Sequence, residues 1–175
     1  MTQLTLLRRS SAAVAAFTLG LGICLLVAVT QRFNIHQIEA VMFGSPLTVT
    51  DGDLPSFCAL AGYPLPPFIH EQYAKTTPYG GRIAPSAFTM SISTAMTEGL
   101  FRHSVVSLLA VDNGRFLAPV RAGDTIRTED EVLSKRETRD AANGLAVFRD
   151  HVLNQRNETV LTIDKTVLLK RRAPT

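Results

Sequence analysis

A chain of 175 residues has room for one domain of ordinary size, and at 46% hydrophobic content it is too apolar to remain disordered. Its 18 Lys+Arg stand against 15 Asp+Glu, but Arg8, Arg9 and Arg32 fall in a leader of 32 residues that holds no acid. The remainder is balanced, which disfavours a nucleic-acid-binding surface. Cys24, inside an apolar run, and Cys58 are the only cysteines, and that excludes a disulfide framework and a cysteine-based zinc site.

Residues 10–31 carry no charge and are long enough to span a bilayer core as a helix. Arg8-Arg9 ahead of them matches the cytoplasmic flank of an anchor or the n-region of an export signal. Ala28-Val29-Thr30 is a poor cleavage site and Ile23 is too bulky to precede a lipidated Cys24. A membrane anchor is favoured, and a cleaved signal and an upstream start are the alternatives. Residues 1–32 are therefore read as a hydrophobic leader and 33–175 as the domain.

Within the domain, Thr50 or Asp51 can cap a helix over DLPSFCALA that stops at Gly62. Pro64, Pro66 and Pro67 then argue against regular structure, since each fixes φ and removes a donor. A helical turn is expected near His70–Lys75 and a loop at Pro78-Tyr79-Gly80-Gly81. Ser86 can cap a longer helix whose buried stripe is Phe88, Ile92, Ala95, Met96, Gly99, Leu100 and His103. The period then changes to two. Strands are expected at Ser104–Val111, Arg115–Pro119, Thr125–Lys135 (exposed), Gly144–Leu153 and Thr159–Lys170, the last with Leu161, Ile163, Val167 and Leu169 on one face. One long helix against a curved antiparallel sheet is an α+β arrangement.

Residues 57–86, FCALAGYPLPPFIHEQYAKTTPYGGRIAPS, resemble the signature region of the MaoC-like (R)-specific enoyl-CoA hydratases and dehydratases. FLAPVRAGDTI (Phe116–Ile126) and VLNQRNETVL (Val152–Leu161) resemble two later segments of that family, with Asn157 where the family usually has glycine. The likeness runs from about Gly44 to Arg172. It implies a hot-dog fold, a long helix wrapped by an antiparallel sheet and paired into homodimers or heterodimers, with an acyl-CoA thioester lying between helix and sheet. It also implies a cytoplasmic domain, which the leader would tether to a membrane, and no cofactor, CoA entering only as part of the substrate.

Carried over residue by residue, the family pattern keeps Gly62, Pro66, Tyr73 and Ala74, but its catalytic Asp falls on Tyr63 and its catalytic His on Phe68. Hydration of a conjugated thioester needs a base that works near neutrality and a second group that relays a proton. Tyr63, with an ordinary pKa near ~10, is a poor base, and Phe68 moves no proton. The family's His-Gly opening of the long helix is replaced by Pro85-Ser86, whose Ser86 N–H still points from a helix N-terminus. Binding is therefore expected to outlast catalysis, with Tyr63, Phe68, Ala84, Ser86 and Phe88 as the substrate-binding positions.

His70 and Glu71 are the weak candidates for a relocated acid/base pair, because neighbours in sequence face apart in regular structure. His103 reads as a core histidine, Glu98 as a solvated counterpart of the thioesterase acid, and Asp124 as a turn cap. No Walker loop, dinucleotide motif or metal-ligand cluster is present. Three functions follow. The chain is a non-catalytic subunit pairing with a catalytic hot-dog chain, an active (R)-hydratase with rearranged residues, or a module that binds or senses acyl thioesters or other lipids.

Overall fold

A computed structural model describes residues 41–101 and 103–171. The hydrophobic helix expected in the leader lies outside them, and so does the domain boundary at residue 32. Among the described residues no helix is long and apolar enough to cross a membrane.

Two short strands, β1 (Val41–Phe43) and β2 (Leu47–Thr48), lead into helix α1 (Asp53–Ala61). The Asp53 carboxylate reaches back and accepts from both the Thr50 N–H and its hydroxyl at 2.7 Å, so Thr50 closes the helix start as a donor while Gly52 is the cap residue. Gly62 ends the helix in the left-handed region at φ 63°, where glycine avoids a Cβ clash. Leu54 and Cys58, one turn apart, face the core, and burial pushes the Cys58 thiol up.

The proline segment departs from expectation. Pro66–Ile69 form a one-turn helix, α2, with the prolines in its first turn, where their missing N–H groups would have had no partner. Helix α3 (Glu71–Lys75) follows, with His70 as its cap, and α4 (Ser86–Phe101) is the long helix.

Four long antiparallel strands complete the fold: β3 (Val105–Phe116), β4 (Thr125–Glu137), β5 (Asn143–Leu153) and β6 (Thr159–Lys170). Their order is β1-β4-β5-β6-β3, with β2 also on β4, and α4 packs against β3, β4 and β6. This is the hot-dog fold. The expected break between Val111 and Arg115 is instead a register shift inside one strand, where Asn113 takes φ 53° and Asp112 and Arg115 keep pairing with Asp164 and Thr162. The expected exposure of β4 is also corrected: Ile126, Thr128 and Asp130 are buried beneath α4.

The buried stripe of α4 is rotated from the expected one. Phe88 is buried, but Ala95 and His103 are exposed, and the inward row is Thr89, Ser93 and Thr97 at four-residue spacing. Polar side chains can point inward here because the sheet offers them polar partners. Gly44 lets β1 pass close to the helix: a Cβ there would stand 2.9 Å from that of Met96. The apolar core falls into two clusters. One joins Leu54, Phe88, Ile126, Val152, Leu161 and Ile163, and the other joins Phe101, Ala146, Phe148, Val167 and Leu169.

Candidate functional site

The segment between α1 and α4 is held by local bonds. The Gly62 stop turns the chain so that Tyr63 N–H bonds the Cys58 carbonyl at 2.8 Å, and Leu65 N–H bonds the Tyr63 carbonyl at 2.9 Å. This fold-back brings Tyr63 and Phe68 together, their ring centroids 5.4 Å apart. Tyr63 is exposed and Phe68 half-buried, so the two residues expected at the catalytic positions form an aromatic pair at the surface.

The structure gives His70 and Glu71 separate duties. His70 Nδ1 accepts from the Tyr73 N–H at 2.9 Å, capping α3, which places the ring proton on Nε2. Glu71 accepts from Arg82 Nε at 3.2 Å and faces Lys75 at 3.7 Å, and Arg82 also binds Asp51 at 2.7 Å. Glu71 thus belongs to an exposed ion network that ties α3 to the loop before α4.

Ala84 is buried, its N–H bonded to the Val120 carbonyl at 2.7 Å, and this fixes the approach to α4. The Pro85 carbonyl accepts from the Phe88 and Thr89 amides, and the Ser86 and Ala87 N–H groups of the exposed first turn have no acceptor among the described residues. A carbonyl oxygen set there would meet two amide donors and the positive end of the helix dipole. The Phe88 ring is not available to a ligand: it is buried edge-on against Phe57 at 5.6 Å.

The remaining candidates lie apart from this segment. Asp124 Oδ2 accepts from the Arg121 N–H at 2.8 Å and Oδ1 accepts from Gln155 at 2.8 Å, the expected turn-closing role. His103 is an exposed residue beyond the end of α4, not a core histidine, because the helix stops at Phe101 before the stripe reaches it. The Glu98 side chain lies outside the described residues. Among those described, no group of three or more His, Cys, Asp and Glu is placed to hold a metal ion.

Sequence reasoning missed the largest concentration of charge in the interior. Asp130, Asp150 and Lys165 lie side by side on β4, β5 and β6, facing Ser93 and Thr97 of α4. The signal was present in β6, where Lys165 shares the alternation of Ile163 and Val167 and so had to point inward.

A curved antiparallel sheet around one long helix, with open amides at the N-terminus of that helix, defines a hot-dog domain of the hydratase type. Residues 34–149 match the model of the MaoC like domain, and the chain belongs to that family. It is 26% identical over 157 residues to a beta-methylmalyl-CoA dehydratase from Chloroflexus aurantiacus, a match covering 82% of this chain and 40% of that protein. It is 39% identical over 72 residues to a mesaconyl-CoA hydratase from Cereibacter sphaeroides, covering 38% of this chain and 21% of the relative. The chain therefore spans well under half the length of these two curated relatives.

Among solved structures it resembles a monoamine oxidase regulatory protein from Archaeoglobus fulgius, at 30% identity and a TM-score of 0.74, covering 81% of this chain and 96% of that one. The C-terminally truncated HadBC complex, a (3R)-hydroxyacyl-ACP dehydratase from Mycobacterium tuberculosis, shares the fold at 22% identity and a TM-score of 0.63, over 79% of this chain and 99% of that one.

Proposed function

We propose that this chain is a non-catalytic member of the enoyl-CoA hydratase/dehydratase family that binds an acyl thioester and completes a dimer with a catalytic hot-dog chain. The observation that carries the reading is the Tyr63–Phe68 aromatic pair at the family's acid and base positions, with His70 and Glu71 each engaged elsewhere. These engagements favour the loss of the proton relay. The open amides of Ser86 and Ala87 favour retained binding of a thioester carbonyl. Tyr63, Phe68 and Ser86 are the side chains and backbone exposed enough to touch it, and Ala84 and Phe88 shape the site from beneath.

The edge strand β3 supports pairing. It turns apolar side chains to solvent on both faces, Val106, Leu108, Leu109, Val111 and Phe116 among them, and an edge with no partner strand among the described residues fits another hot-dog protomer. The HadBC complex is an example of assembly on this fold. The domain would act in the cytoplasm, held at a membrane by residues 10–31, and would need no cofactor.

The test is hydration of crotonyl-CoA and mesaconyl-CoA by the purified full chain, followed by loss of enoyl-thioester absorbance, beside equilibrium binding of the same compounds. Binding without turnover is the expected result, with turnover appearing when a chain bearing the intact Asp and His is added. Turnover by the chain alone, abolished by His70→Ala, would establish the active-hydratase alternative instead. Binding without turnover in the presence of any such chain would leave the sensing module.

A further inference from the structure

The sheet's inner face carries charge where an apolar row belongs. Asp130 and Asp150 are direct cross-strand partners, and Lys165 sits two residues beyond Ile163, the β6 partner of Asp150. Asp130 and Asp150 are 0% exposed and Lys165 is 4% exposed. Lys165 Nζ lies 2.9 Å from Asp150 Oδ1 and 3.7 Å from Asp130 Oδ1, and donates to Thr97 Oγ1 at 2.7 Å. Ser93 Oγ donates to Asp150 Oδ2 at 2.5 Å. The band lies between the two apolar clusters and bonds α4 to β5 and β6.

The two acids are the unfinished members. Neither oxygen of Asp130 nor Oδ1 of Asp150 has a hydrogen-bond donor among the described residues, and the two residues stand directly opposite each other on adjacent strands. Thr128, buried on the same strand, gives its hydroxyl to Met96 Sδ instead. Two carboxylates can bond each other only through a proton. Two acids and one lysine also leave a net negative charge in a dry interior, which a single bound proton removes.

No other described charge faces the cluster. On β4 and β5, Arg127, Glu129, Glu131, Arg149 and His151 point to the opposite side, where Arg149 pairs with Asp164 of β6. Met42 of β1 stands opposite Asp130 and Val111 of β3 opposite Lys165, while the described inward side chains of α4 are uncharged.

We propose that the folded domain takes up one proton into the Asp130–Asp150 pair, and that the resulting neutral cluster clamps α4 to the sheet with a hold that weakens as pH rises through neutrality. Burial, then the bond to Asp150, push the Asp130 carboxyl up to about 8, and Lys165 pulls the other way. The unfolded chain releases this proton near the ordinary value of 3.8. Between the two values the native state holds one proton more than the unfolded state. The stabilisation is thus complete below the lower value and is lost as pH rises toward the upper one. The clamp is independent of the acyl-thioester reading.

Equilibrium urea unfolding of the full chain, measured in steps from pH 5 to 8, tests it against Asp130→Asn, which supplies a permanent donor in place of the proton. The unfolding constant of the parent should rise by up to about tenfold per pH unit more than that of the variant. Histidines common to both chains cancel in this difference. Equal slopes would overturn the proposal. Should the variant fail to fold, infrared spectra of the parent carrying 13C-labelled aspartate decide the matter. A protonated carboxyl band near pH 6 that disappears well above pH 8 is expected, and its absence near pH 6 overturns the uptake.

Discussion

The segment between α1 and α4 and the interior beneath α4 treat ionisable groups in opposite ways. In the first, Tyr63 and Phe68 form an aromatic pair, and the charged residues nearby, Glu71, Lys75 and Arg82, form exposed pairs on the surface. In the second, three ionisable side chains are sealed from water. The contrast teaches that a strongly perturbed carboxyl is not by itself a sign of catalysis. Position in the fold decides: in this domain the perturbed acid lies in a buried layer whose Asp150 and Lys165 bond helix to sheet, away from the solvent-accessible segment.

Removing the cation from the interior should produce the largest effect. Lys165→Met leaves the remaining negative charge of the acid pair with no counter-charge and is expected to cost about 3–5 kcal/mol, read as a lower urea midpoint at pH 7. Replacing Asp130, Asp150 and Lys165 together with leucine should recover most of that loss, because an apolar set has no charge to desolvate. A triple variant as unstable as the single one would mean that packing volume, not charge balance, governs this layer.

His70→Ala addresses the other region. It removes the acceptor for the Tyr73 N–H and should cost about 1 kcal/mol, the usual value of a lost helix cap, seen as a modest drop in thermal midpoint. Thioester binding should be unchanged. A binding loss without a stability loss would give His70 a place at the ligand and would narrow the difference between the two regions.

The fold was legible because its signals are periodic and local. The two-residue alternation of β5 and β6 and the left-handed stop at Gly62 are each set by a few neighbouring residues, whereas Ser86, expected as the cap of the long helix, is its first helical residue. The face of α4 was not legible, because Thr89, Ser93 and Thr97 read as a polar row until the strands that pair with them are in place. The one-turn helix at Pro66 was hidden by the general effect of proline, which reverses in a first turn. At the candidate site, Tyr63 and Phe68 are picked out by the resemblance alone. Their contact, and the separate engagements of His70 and Glu71, depend on how the segment folds back.

The smallest effect is expected at Asn157, in the turn joining β5 to β6, which sharpens the contrast by separating backbone from side-chain demands. Its φ of 62° lies in the left-handed region, and this accounts for asparagine at a position where the family usually has glycine, since both tolerate that conformation. Its side chain also accepts from Arg127 at 3.0 Å. Asn157→Gly loses that exposed bond but relaxes the backbone, so stability should stay within about 0.5 kcal/mol of the parent. Asn157→Ala loses the bond and keeps the strain, and should cost about 1 kcal/mol. Urea midpoints of the two variants distinguish the causes: a glycine variant as unstable as the alanine one would make the Arg127 bond, not the backbone, the reason for asparagine there.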